Sequence, residues 1–203
     1  MTMVTINDLE MEARPGERLL DIARRNGAHI GFVCDGTGFC QTCKLKVLAG
    51  RDDLNPPTEI EKSWLPEARL QEGWRLGCQA AVRGKGPIVA LTNAEELRRQ
   101  TFAVLNPSPG TNVTTNASAL ISNILQQSID QVAGYPFNVL NVVSRIGLGR
   151  LINPWQSMER FNQWLNDGVK VIQQTLRSPV PSSDSDPLAR VRAAAADVRQ
   201  ASE

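Results

Sequence analysis

CDGTGFCQTC, residues 34–43, decides how this chain folds, because it gathers three of the four cysteines; the fourth, Cys78, stands in RLGCQ at residues 75–79. The pattern is Cys34-x5-Cys40-x2-Cys43, then Cys78 after thirty-four further residues. Three thiolates in a short glycine-bearing loop, with a fourth from a distant strand, cup a compact iron–sulfur core, and a [2Fe-2S] cluster needs no other residue type. Gly36 and Gly38 suit a loop that turns through positive φ. The backbone then comes close enough for the N–H groups of residues 36–38 to face the sulfurs and stabilise an added electron. A potential near that of plant-type centres, roughly −400 mV, is expected.

Other uses of four cysteines fit less well. Structural zinc usually takes two close ligand pairs, and only Cys40 and Cys43 form one. Disulfides are not expected, because residues 1–16 show no basic start followed by an apolar run that would export the chain to an oxidising compartment. His29, five residues before Cys34, is the single histidine. A Rieske centre takes two histidines, so His29 reads as a surface or packing residue.

Working outward, residues 3–6 and 9–13 read as strands joined by Asn7-Asp8, a pair suited to a hairpin turn. Residues 17–26 carry Leu19, Leu20, Ile22 and Ala23 at helical spacing, and Asn26-Gly27 supplies the stop. Residues 43–48 alternate as a strand, and Thr58-x-x-Glu61 is a capping box for a short helix. Residues 74–82 and 87–91 complete a sheet of about five strands.

On these residues the chain resembles a known family. LLDIARRNGAHIGFVCDGTGFCQTCKLKVLAG (19–50), followed by RLGCQAAV (75–82), is similar to the [2Fe-2S] ferredoxins, with the C-x5-C-x2-C spacing of the adrenodoxin-like and bacterial branch rather than the plant-type four-residue gap. The resemblance covers residues 1–92 and implies an α+β fold: a ferredoxin-like beta-grasp domain, here followed by an α-helical C-terminal region. It implies that Cys34, Cys40, Cys43 and Cys78 hold a [2Fe-2S] cluster, with Cys34 and Cys40 on the iron nearer the surface and Cys43 and Cys78 on the inner one. Phe32 and Phe39 read either as apolar covers of that site or as ordinary packing.

Many relatives in that family are acidic and steer onto basic reductases. Here residues 1–92 carry twelve basic and twelve acidic side chains. Asp52, Asp53, Glu59, Glu61, Glu67 and Glu72 nevertheless gather between the third and fourth cysteines, as a docking face or as a solvated one. No basic stripe interleaved with aromatics points to nucleic acid.

Residues 93–116 are expected to form a linker, with a short helical run at 94–101 and a turn-rich stretch at 106–116. Three amphipathic helices follow, at 117–133, 137–152 and from Asn153-Pro154 to 176. Residues 178–187 read as flexible, and 188–201 as an alanine-rich helix. Residues 117–177 either pack on one another as a bundle or dock on a partner or membrane surface. Residues 137–155, with an apolar stripe, two arginines and Trp155, have the make-up of an interfacial helix, and Val143→Asp or Ile146→Asp should then release it. The tail carries no cysteine, histidine or phosphate loop and so offers no second cofactor site.

The function expected is single-electron transfer between a reductase and an acceptor, with no substrate transformed. The location expected is the cytoplasm, or the surface of a membrane such as the thylakoid. The alternative is a redox-sensing or assembly protein of a membrane complex, a photosynthetic one among the candidates, in which the cluster is not an electron carrier; extended ferredoxin-like proteins of light-harvesting envelopes are a distant parallel. A cut after Leu91 should leave the cluster unchanged, because all four cysteines precede it.

Overall fold

The computed structural model of the protein describes residues 2–84, 86–107, 110–132, 135–178 and 189–201. Strand β1 (Thr2–Ile6) pairs antiparallel with β2 (Leu9–Ala13) through Asn7 and Asp8, whose φ values of 54° and 67° are those of a tight hairpin turn. Helix α1 (Leu19–Asn26) stops at Gly27, which takes the left-handed conformation and donates its N–H back to the carbonyls of Ala23 and Arg24. Leu19, Leu20 and Ile22 are fully buried, each contributing about 1.5–3 kcal/mol of apolar burial.

Strand β3 (Lys44–Ala49), β4 (Trp74–Leu76) and β5 (Ile88–Thr92) complete a five-stranded sheet in the order β2-β1-β5-β3-β4, with β1 and β5 parallel. Two short helices, α2 (Glu59–Trp64) and α3 (Glu67–Gln71), link β3 to β4. The capping box is present: the Thr58 side chain accepts from Glu61 N–H, and the Glu61 carboxylate accepts from Thr58 N–H at 2.9 Å. β4 is shorter than the strand expected over 74–82. The chain leaves the sheet in a tight turn, with Gln79 and Ala80 N–H both donating to Leu76 O, and that turn carries Cys78.

The segment expected as a linker is largely helical. Thr92 caps α4 (Asn93–Leu105) through its side-chain oxygen, and α5 (Val113–Val132) starts four residues before the expected boundary. α6 (Tyr135–Ile146) and α7 (Leu148–Ile152) replace the single helix expected over 137–152, because Gly147 at φ 81° breaks it. α8 (Met158–Arg177) is capped by Ser157, not by Asn153-Pro154, and α9 (Ala189–Gln200) ends the described chain. Ala133 and Gly134, the side chain of Val132, and residues 179–188, which hold most of the stretch expected to be flexible and the start of the last helix, lie outside the described residues.

Among the described residues, tail helices pack onto the sheet domain. Val142 of α6 is fully buried in the core beside α2, Val171 of α8 is buried there beside α1, and Val191 and Ala195 of α9 cover the second face of the sheet on Ala49, Val89 and Leu91. β5, IVALT, is therefore buried at every position, as a continuous apolar run requires when both faces of a strand are covered. A cut after Leu91 would strip these contacts and Thr92, whose buried hydroxyl donates to His29 O at 2.6 Å, from the unit that carries the cysteines. No helix among the described residues is long and apolar enough to cross a membrane.

Candidate metal centre

The loop after Cys34 is built to turn. Asp35, Gly36, Gly38 and Gln41 have φ of 48°, 80°, 86° and 56°. A side chain at Gly38 would be strained by that φ and would bring its Cβ within 2.8 Å of Ile60. Before the loop, a Cβ on Gly31 would stand 2.5 Å from Thr42 O, so only glycine lets the chain entering the loop lie against the chain leaving it.

The cysteines meet as two pairs. The Cys34 and Cys40 thiols lie close enough to shift each other's ionisation, and so do those of Cys43 and Cys78. Cys34, Cys43 and Cys78 are buried, and Cys40 is half-buried at the rim. The neighbouring Cys40 thiol draws the Cys34 thiol down to about 4 against the opposing effect of burial. Its partner Cys40 is pushed up by the same contact and by burial, and Cys43 is pushed well up by Cys78 and burial.

This arrangement fits a two-iron core. Among the described residues, no three cysteine, histidine, aspartate or glutamate side chains are placed to hold one ion. A dinuclear centre instead asks for two sulfur pairs side by side. The Thr37 hydroxyl is buried without a hydrogen-bond partner beside Cys34, an orphan that a sulfur acceptor would satisfy.

Long-range polar contacts hold the frame. Glu61 is 0% exposed: its Oε1 accepts from Arg75 Nε at 2.8 Å and Leu76 N–H at 3.0 Å, and its Oε2 from Arg75 Nη2 at 2.9 Å. This carboxylate fixes β4 two residues before Cys78. It is therefore no part of a docking face; Asp53 likewise turns inward to Gly86 N–H, while Asp52, Glu59, Glu67 and Glu72 are exposed. Phe39 packs edge-on against Trp64, whose Nε1 donates to Gly38 O at 2.8 Å, and Phe32 packs edge-on against Trp164. Both phenylalanines pack within the structure. His29 pairs through Nδ1 with Glu95 at 2.9 Å, away from the thiols. Trp155 is half-buried, its ring centroid 5.4 Å from that of Trp164.

The sequence pattern missed Glu61–Arg75 and the contacts of α8. The family model described as a 2Fe-2S iron-sulfur cluster binding domain matches residues 4–83. The chain is 40% identical over 81 residues to a 2Fe-2S ferredoxin of Pseudomonas aeruginosa, covering 39% of this chain and 72% of the relative. It is 31% identical over 179 residues to Chlorosome protein J of Chlorobaculum tepidum, covering 88% of this chain and 74% of the relative. A solved ISC-like [2Fe-2S] ferredoxin from Pseudomonas putida aligns with a TM-score of 0.40 and 27% identity over 46% of this chain and 94% of that one.

Proposed function

The chain belongs to the [2Fe-2S] ferredoxin family, and from that premise we propose that it carries single electrons, its cluster held by the pair Cys34 and Cys40, of which Cys40 lies at the rim, and by the pair Cys43 and Cys78 inside. The observation that carries this reading is the pair of thiol pairs, three sulfurs buried and Cys40 half-exposed. When bound, the [2Fe-2S] cluster takes up and returns one electron. The residues do the rest: backbone N–H groups of the loop offset added negative charge, Phe39 packed on Trp64 stiffens it, and the Cys40 rim is the side on which a reductase or acceptor approaches. No substrate is transformed.

The second part of the reading concerns the tail. Its helices present Leu140, Leu148 and Ile152 at 70%, 61% and 76% exposure, together with Ile121, Leu125 and Ile129. Such an apolar surface on a chain with a complete core suits docking on a membrane surface or a membrane complex. The similarity to Chlorosome protein J extends well beyond the cysteine module. It favours, as a second reading, a protein that helps assemble a photosynthetic membrane complex while holding its cluster. Ile146 packs against the core, so Ile146→Asp would damage the fold and not test docking. The test is instead co-sedimentation of the intact chain and of Leu140→Asp and Ile152→Asp with lipid vesicles and with membranes. Binding lost in the variants at unchanged cluster absorbance supports docking; equal behaviour of all three chains overturns it.

A further inference from the structure

Helix α8 belongs to the tail, yet one of its faces closes on the start of the cysteine loop. Arg24 of α1 is buried and bridges the two: Nη1 donates to Asp35 Oδ1 at 2.7 Å, and Nη2 and Nε donate to Asp167 Oδ2 at 2.9 and 3.2 Å. Asp35 follows Cys34 directly. Its second oxygen lies 3.7 Å from Arg160 Nε on α8. Between Arg160 and Asp167, on the same stripe of the helix, Trp164 donates from Nε1 to Phe32 O at 3.0 Å. Arg160 and Trp164 thus touch the stretch from Phe32 to Asp35 directly and Asp167 reaches it through Arg24, which also stacks on the Phe32 ring at 4.6 Å.

We propose that α8 is an electrostatic positioning element for the cluster, in which Asp167 and Trp164 fix the cysteine loop and Asp167 and Arg160 set its reduction potential from opposite directions. The inference rests on the reading that Cys34, Cys40, Cys43 and Cys78 hold a [2Fe-2S] cluster. Reduction adds one negative charge beside Asp35. Removing a nearby anion favours the reduced form, and removing a nearby cation disfavours it. The Asp167 side chain is 12% exposed and that of Arg160 51%, so salt screens the second far more than the first.

The experiment is an anaerobic redox titration of the full-length holoprotein and its variants, with iron and sulfide counted in each. Asp167→Asn is expected to shift the midpoint positive, with little dependence on salt, and Asp167→Glu to restore it. Arg160→Gln is expected to shift it negative by an amount that shrinks as salt rises, and Arg160→Lys to restore it. Trp164→Phe, which keeps a ring but loses the N–H, is expected to speed amide exchange over residues 32–42. Absence of both shifts, or shifts of the same sign, overturns the proposal and leaves α8 as packing only. Should Asp167→Asn lose its irons, exposed Arg160 decides alone: no negative shift in Arg160→Gln overturns it. A wild-type chain without two irons and two sulfides would instead defeat the cluster reading itself.

Discussion

Replacing Glu61 by alanine attacks the contact that holds Cys78 in place. The carboxylate is fully buried and accepts four hydrogen bonds, two from Arg75 and one each from Leu76 and Thr58 N–H. Without it, Arg75 keeps a carbonyl partner, Asn55 O at 3.0 Å, but no countercharge. Removing one member of a buried pair costs about 3–5 kcal/mol, and the Thr58 N–H loses its acceptor, at about 1 kcal/mol, while the Thr58 hydroxyl still caps α2. The two losses share one side chain and do not add in full, so about 4 kcal/mol is expected. At about 1.4 kcal/mol per tenfold change, unfolding should be roughly a hundred- to a thousandfold faster if most of the contact is gone at the barrier. The assay is the decay of cluster absorbance in urea under anaerobic conditions. Glu61→Leu with Arg75→Met should recover most of the loss, because well-packed apolar side chains often replace a buried ion pair without cost. Acceleration of less than about fivefold in Glu61→Ala would refute this account of the frame.

Three further outcomes are expected. Burial raises the Glu95 carboxyl, but hydrogen bonds from His29, Arg98 and Arg99 outweigh it and hold the group at about 2, below its ordinary 4.5. Stability from Glu95 is then full above about pH 4.5 and lost as pH falls toward 2, so thermal midpoints should drop across that window and Glu95→Gln should remove part of the drop. Cys34→Ser, Cys40→Ser, Cys43→Ser and Cys78→Ser should each lower iron content, since a hydroxyl is a poorer soft-metal ligand than a thiolate. Val191→Asp places a charge on the fully buried contact between α9 and the sheet. It should cost at least about 3 kcal/mol, read by chemical denaturation.

What the sequence made legible was local. The Asn7-Asp8 turn, the Gly27 stop and the Thr58–Glu61 capping box each lie within a few residues, and the five strands follow from short apolar runs bounded by turns. Contacts spanning long separations left no such mark. Arg75 lies fourteen residues from Glu61, and Asp167 lies 143 from Arg24, so neither pairing could be read from spacing. Both kinds of residue looked like ordinary surface charge. One signal was present: the unbroken run of Ile88-Val-Ala-Leu-Thr92 already demanded cover on both faces of the sheet, and the alanine-rich α9 supplies it with small residues that approach closely. Trp155 stands between α7 and α8, and its edge-on contacts with Phe161 and Trp164 of α8 were likewise not marked by any local pattern.

The central claim is tested most directly by counting iron and acid-labile sulfide in the purified full-length chain and recording its EPR spectrum on reduction. Two irons, two sulfides and a rhombic signal that appears only after reduction are predicted. A colourless chain holding a single zinc ion would contradict the account.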